Sequence, residues 1–597
     1  MQITHSIPLE IHQLVLNNCN TVKTQIYLMC THAIFYNNLF IENLWPKPVF
    51  THPIVAQVIG DQAEDKDEII EYCHSGPWTR YDKYLNSINN IILQQKKFNK
   101  ISDLLVPTNT KIFDAVSNMV NLKRLDISIE DIIDRNIYCE SESYEVNNKF
   151  NPFKETTKYF YIRDHHLKNL NLYELRMNDN FVISAIEHMN NLRVLYINGK
   201  CGIGQKCINY FNLIKLSCDD NKKIFDVSHM TNLKILLMGY RCKINQKSIN
   251  KLVLLEKLSL RSNIYITNVS HMKQLRILDA SETCILGQSG ILGINLYKLY
   301  ADGNKNINDV SHMTNLRILY TRDSGIDQEG IRGINLRKLY MQNNPKINSV
   351  THMSNLKILD ASYNCGIRHR GLVDINLDIL YLHDNSHINT VSSMRNLKIL
   401  YASGEKCAIN QKGIKNINLE KLYCNGNLNI KNVSHMSNLK FLNADSSAID
   451  QRGIKNINLY ELSMNNNKKI KNVSHMSNLK ILHANDSNLE QDGFYLDNLI
   501  HLAINNNPNI TDINLLTNLK ILYAENRTSK ITRNSIVKLK LLDELYVYEN
   551  PDITNPRYFK DLKNFETGGF NYEHRYKHNY YYIYEPEYYS YYYSDQK

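Results

Sequence analysis

The chain has 597 residues, 43% hydrophobic and 22% charged, with a mean hydropathy of −0.40 and a formal net charge of +11. No apolar run reaches the roughly 20 residues of a membrane span, and the opening stretch lacks a basic segment ahead of an apolar core, so neither membrane insertion nor secretion is expected. Twelve cysteines in a chain of this size suit reduced thiols better than a disulfide framework, and the expected location is the cytoplasm.

In chain order, Ser6–Phe40 reads first, as short amphipathic helices. Ile11, Leu14 and Val15 share one face, which Ile26, Met29, Cys30 and Phe35 continue. Ile7-Pro8-Leu9-Glu10-Ile11 resembles the Leu-Pro-x-Glu-Ile opening of an F-box, and Ile26–Leu39 is similar to its closing helix. That resemblance implies docking to a Skp1-like adaptor of a cullin ubiquitin ligase, with Pro8, Leu9, Ile11 and Leu14 facing the adaptor. Read from the residues alone, the same helical module (1–45) serves as the end cover that a repeat array needs. Residues 46–97 read as linker and lead-in.

From residue 98 to 565 self-similarity dominates. One frame reads Leu336-x-x-Leu339-x-Met341-x-x-Asn344-x-x-Ile347-x-x-Val350 and recurs eleven times. Its Asn180, Asn221, Asn263 and Asn304 fall, by subtraction, 41, 42 and 41 residues apart. A variant frame, Leu356-x-x-Leu359-x-Ala361, occurs ten times between them and halves the step to about 20 residues, the short end of the leucine-rich repeat range. Twenty-one coils follow, with an irregular insertion near 130–166. The expected fold is an α/β-type solenoid, a leucine-rich repeat horseshoe or arc with short parallel strands on its concave face, preceded by the helical module. Residues 566–597, rich in tyrosine, read as a low-complexity tail.

The pattern dictates the local physics. Leu-x-x-Leu-x-Leu makes a short strand whose alternate side chains point inward. The Asn after it is placed to bond the backbone of its own turn and of the neighbouring coil. In "VSHMSN", Val and Met are expected inward, with Ser and His outward or along the edge; the Gly of "QKGIKNIN" is expected at a tight bend.

The recurring His229, His271, His312, His352, His435 and His475 invite a metal reading, which the spacing opposes. Equivalent residues two coils apart lie roughly 10 Å from each other, too far to share one ion whose ligand bonds are about 2.0–2.3 Å. The same arithmetic makes Cys201, Cys242, Cys284, Cys365 and Cys407 buried apolar fillers rather than disulfide partners. No phosphate loop, dinucleotide fingerprint, nucleophile elbow or zincin motif occurs, so neither enzyme activity nor a metal or cofactor is expected.

What remains is surface. Tyr300, Tyr320, Tyr340, Tyr381, Tyr401 and Tyr423 form one outward column, broken by Asp360. Lys357, Lys398 and Lys440 stand in a second column, and Lys298, Lys338 and Lys421 in a third. These residues define a candidate ligand-binding face, because tyrosine and basic side chains suit protein recognition. Duplication that copies surface residues passively would also produce columns. The alternative reading is single-stranded nucleic acid, with tyrosines stacking on bases and lysines tracking phosphates; Asp378, Glu420, Glu461 and Glu544 interrupt the basic stripe and count against it. Taken whole, the chain resembles the F-box and leucine-rich repeat proteins of large DNA viruses of amoebae. That resemblance implies a substrate receptor acting in the host cytoplasm.

Overall fold

The computed structural model describes residues 103–105, 121–128, 162–494, 496–550, 552–553 and 564–566. They fall into two compact units, one ending at Leu275 and one beginning at Arg276. Pro8, Leu9, Ile11 and Leu14 lie outside the described residues, as do most of the expected insertion and the tyrosine-rich tail.

Each unit is a leucine-rich repeat solenoid built from one short strand per coil. The first carries seven strands among the described residues, from Asp103–Leu105 to Lys257–Leu260. The second carries fifteen, from Ile277–Asp279 to Asn564–Glu566. Within each unit every strand pairs in parallel with the next in sequence, Leu against Leu: Leu299 faces Leu319, which faces Leu339. All twenty-one sequence frames become strands. A further strand, Asn564–Glu566, pairs with Glu544–Tyr546. Its frame, Leu562-x-x-Phe565, has Phe where the others have Leu, which is why the count of coils misses it.

The inward columns close into one continuous apolar interior per unit. Leu296, Leu299, Ala301, Ile307, Val310 and Met313 of a single coil are all fully buried, and their equivalents repeat that burial. Val and Met of the "VSHM" segment are thus inward, as their spacing predicts. The side opposite the strands is less helical than an α/β solenoid suggests. Among the described residues it holds single α-turns such as Gln205–Ile208 and single 3-10 turns such as Gln288–Ile291. A coil of about 20 residues leaves room for only one turn there.

The glycines of those turns are required by close approach rather than by bend geometry. A Cβ on Gly330 would collide with the carbonyl of Asn308 in the preceding coil, and one on Gly413 with that of Asn389. The left-handed conformation instead recurs just before each buried Asn, at Gly303, Asn343 and Asp384 for example, with φ of 71°, 54° and 48°. This explains why Gly, Asn and Asp gather there.

Three polar ladders stitch coil to coil. The Asn304 amide donates to the carbonyls of Ala280 and Leu286 in the preceding coil, at 2.8 and 3.1 Å. Its oxygen accepts from Asn306 and Ile307 in its own turn, at 2.8 and 3.2 Å. Gln411 works forward: Oε1 accepts from the amides of Lys431 and Asn432 at 3.0 and 2.8 Å, and Nε2 donates to the Asn432 carbonyl at 2.8 Å. The recurrent histidines are the third ladder. His312 Nε2 lies 3.3 Å from the Ile291 carbonyl and His435 Nε2 lies 3.0 Å from that of Ile414, with five more following suit. Because a carbonyl can only accept, the bond fixes the proton on Nε2.

Candidate binding face of residues 276–566

Outward positions on the strands of the second unit form the face that the sequence reading calls concave. Its centre is aromatic. Tyr300, Tyr320 and Tyr340 stack with ring centroids 4.5 and 4.4 Å apart, and Tyr381, Tyr401 and Tyr423 with centroids 4.4 and 4.3 Å apart. Interplanar angles of 3–22° make both triplets nearly parallel piles. The spacing is imposed by the strands, which in a ladder lie about 4.8 Å apart. A third pile, Tyr523 on Tyr546, has centroids 4.4 Å apart.

Stacking changes what these tyrosines can do. Although they point outward, Tyr401 is 1% exposed and Tyr300, Tyr340 and Tyr381 are 6–7% exposed, because each ring covers its neighbour. Tyr320 and Tyr423 are half-buried. The ends of the piles are occupied too: Asp279 is in register with Tyr300, Asp360 with both Tyr340 and Tyr381, and Asn443 with Tyr423. Ring faces are therefore spent inside the protein, and of the six rings only Tyr320 and Tyr423 keep substantial exposure. A base inserting between two rings would have to break the strand ladder.

Asp360, which separates the triplets, is 1% exposed. It accepts from the Ser362 amide at 3.0 Å and from the Gln342 side chain. Burial outweighs these bonds and the Arg322 charge and pushes its carboxyl up to about 6. Beside it, His383 is buried against Tyr381 and Tyr401, and burial pushes its imidazole down to about 4. Further along, His483 and His501 meet edge to face at 4.9 Å.

The predicted lysines divide. Lys298 is 6% exposed, its ammonium 4.6 Å from the Tyr300 ring centre and 5.6 Å from that of Tyr320. It is a cation–π partner of the pile rather than a free surface charge. Lys338, Lys357 and Lys421 are half-buried; Lys421 lies over the Phe441 ring at 4.9 Å. Lys398 and Lys440 are exposed, on the edge where each strand begins. Arg276, Arg317, Lys480 and Lys520 occupy the same edge position in the other variant coils.

Beyond the opposite ends of the strands stand acids that the sequence reading did not single out, with Arg322, Lys406 and Arg527 among them. Glu282, Asp323, Glu405, Asp445, Asp486 and Glu525 follow the strands of the variant coils. Six of the seven variant coils of this unit carry a cation at one end of the strand and an anion five to seven residues later, as Arg317 with Asp323 and Lys398 with Glu405; the Lys357 coil has no such acid, and Asp378, Glu420 and Asp543 hold the starting edge in coils between. The signal is a charge pairing with a 41-residue period, visible only once the strand borders are known.

The expected cysteine column is buried and forms no disulfides: Cys201, Cys242, Cys284, Cys365 and Cys407 fill the alternate coils at or next to the place of the Asn rung. Burial pushes the Cys201 and Cys365 thiols up to about 12. The sulfurs of Cys218 and Cys242 lie 3.8 Å apart.

No known protein family and no curated protein matches this chain in sequence. Among solved structures, a TLR13–ssRNA13 complex is similar with a TM-score of 0.37 at 17% identity, over 64% of this chain and 62% of that one. A leucine-rich repeat protein of Leptospira interrogans gives 0.35 at 18%, over 61% and 91%. The Rad7–Elc1 complex of yeast gives 0.29 at 15%, over 51% and 83%. The chain therefore spans less than two thirds of the TLR13 chain.

Proposed function

We propose that this chain is a non-enzymatic recognition scaffold whose strand face in residues 276–566 binds a protein ligand. The observation that carries the reading is the division of labour in each coil. Interior leucines and the Asn, Gln and His ladders hold the coils together, while the outward aromatic piles and charged edges add nothing that coil stacking requires. The half-buried Tyr320 and Tyr423 and the exposed Lys398 and Lys440 suit a protein surface. The covered ring faces weigh against the alternative in which bases stack on the tyrosines.

The F-box-like opening, with Pro8, Leu9, Ile11 and Leu14, supports a finer version of the reading. In it the chain is the substrate receptor of a Skp1–cullin ubiquitin ligase in the cytoplasm. Affinity capture of the full chain from host cells tests both levels. Loss of adaptor and cullin on Pro8→Ala with Leu9→Ala, with ligand capture intact, supports the receptor. Capture of neither adaptor nor cullin by folded protein removes the ligase and leaves the scaffold. Captured proteins indifferent to Lys398→Glu with Lys440→Glu would remove the strand face as the site.

A further inference from the structure

We propose that the two tyrosine triplets are modification sites, at which a one-electron oxidant couples neighbouring rings into dityrosine and so staples successive coils covalently. The proposal goes beyond the recognition reading and does not depend on it.

The first support is contact held in register. Dityrosine forms where two phenol rings meet as radicals, and for free tyrosine that meeting is a chance encounter. Here Tyr320 and Tyr340 are register partners on adjacent strands, stacked at 4.4 Å and 6°. Tyr401 and Tyr423 are likewise partners, at 4.3 Å and 3°. Tyr300 and Tyr381 extend the piles at 4.5 and 4.4 Å. The strand ladder supplies the encounter permanently.

The second support is a way in. Each triplet has one half-buried ring, Tyr320 in the first and Tyr423 in the second, while the other four are buried. An oxidant takes an electron from the half-buried ring, and the vacancy passes to the ring stacked on it. Among the described residues there is no tryptophan to take the oxidation instead.

The third support is the fate of the proton. The Lys298 ammonium lies 4.6 Å from the Tyr300 ring centre and 5.6 Å from that of Tyr320. It opposes positive charge on either ring, so the proton leaves with the electron and a neutral phenoxyl remains. Two neighbouring phenoxyls then pair their electrons in one carbon–carbon bond, each at a position beside its oxygen. The ring hydrogen displaced from each carbon returns to the phenoxyl oxygen. The net loss is two electrons and two protons, which hydrogen peroxide as terminal oxidant carries away as two waters.

The pattern of staples is fixed by the same register. Asp360 stands between Tyr340 and Tyr381, so the triplets do not couple to each other. Tyr196 has Arg176 and Ser217 as its register neighbours and no tyrosine beside it.

Photo-oxidation of the dilute full chain tests this, with a ruthenium polypyridyl as sensitiser and persulfate, reduced to sulfate, as electron acceptor. The light dose is one that dimerises N-acetyltyrosine. Trypsin, cutting after Arg317, Lys338, Lys398 and Lys421, leaves the tyrosines of each triplet on separate peptides, so a staple appears as a joined pair two hydrogens lighter than its parts. Joined pairs are expected within each triplet and absent between Tyr340 and Tyr381. Tyr320→Phe keeps a stacking ring but has no phenol to oxidise. It should cut joined pairs of the first triplet at least tenfold and leave those of the second unchanged; Tyr423→Phe should remove the Tyr401–Tyr423 pair and spare the first triplet. Circular dichroism melts unchanged from the parent exclude misfolding as the cause. No joined pair in either triplet, an undiminished yield in the first triplet of Tyr320→Phe, or joining of Tyr196 as frequent as that of Tyr320 would each overturn the proposal.

Discussion

The strand faces of the two units rest on interiors of the same kind and carry different chemistry. In residues 103–275 the central outward column runs Asp126, Arg176, Tyr196, Ser217, Leu237 and Ser259. Among the described residues that column holds one tyrosine, Tyr196, and no pile. Glu174 instead pairs with Arg176 at 2.8 Å and Arg124 at 3.6 Å, and the Arg176 guanidinium lies over Tyr196 at 4.4 Å. In residues 276–566 the same column holds the stacked triplets. Yet Leu216 and Leu236 of the first unit are as fully buried as Leu299 and Leu422 of the second, and the histidine and glutamine ladders run through both. Coils therefore stack without a tyrosine column. What a coil needs is its leucines and its ladders; the outer column is free to vary.

Truncating the shared interior should be equally damaging in both units. Leu216→Ala and Leu422→Ala are each expected to cost about 2–5 kcal/mol in thermal or denaturant unfolding. A large asymmetry between them would break the claim of a common interior. The outer column should behave oppositely. Tyr401→Ala, in the middle of a pile, is expected to cost about 3 kcal/mol, whereas Leu237→Ala, half-exposed at the equivalent column of the first unit, should cost less than half as much. Equal costs would mean that the piles are no special property of the second unit.

The next effect is one of pH and comes from two groups of the second unit. Asp360, pushed up to about 6, is protonated more readily folded than unfolded, so its contribution makes the protein more stable as pH falls from about 6 toward 4. His383, pushed down to about 4, does the reverse: the unfolded chain takes the proton first, and stability is lost as pH falls from about 6.5 toward 4. The two slopes oppose each other. Asp360→Asn should steepen the loss of stability below pH 6 by about 2 kcal/mol, and His383→Asn should flatten or reverse it. Parallel pH profiles for wild type and both variants would sink this account. Smallest of all, His435→Ala removes one bond to the Ile414 carbonyl and should cost about 1 kcal/mol, with His229→Ala matching it in the first unit.

Much of the fold was legible because a 20-residue period and Leu-x-x-Leu spacing leave few alternatives. The Asn304 class of residue was placed correctly, down to its bonding both to its own turn and to its neighbour coil. The histidines were read only as far as an edge. Their partner is a backbone carbonyl 21 residues earlier, and no sequence pattern marks an acceptor that every residue carries. The glutamine ladder went unseen for the same reason. Of the face, the tyrosine column was legible as a column but its exposure was not. Burial by stacking depends on the 4.4 Å approach of one ring to the next, which only the strand spacing supplies. The acids beyond the strand ends were hidden because their position varies between coils, before, at or after the left-handed residue.

The two kinds of coil alternate, and each polar ladder joins one kind to the other. Asn304 reaches back to a variant coil, Gln288 reaches forward from that variant coil to the backbone of Asn308 and Asp309, and His312 closes back on it at Ile291. Removing one coil would set two of the same kind side by side and part the Asn, Gln and His side chains from the turns they bond. Removing two restores every bond. Steps of about 41 residues therefore change the length of the array with every rung kept, and a tandem pair of coils is its structural unit of size.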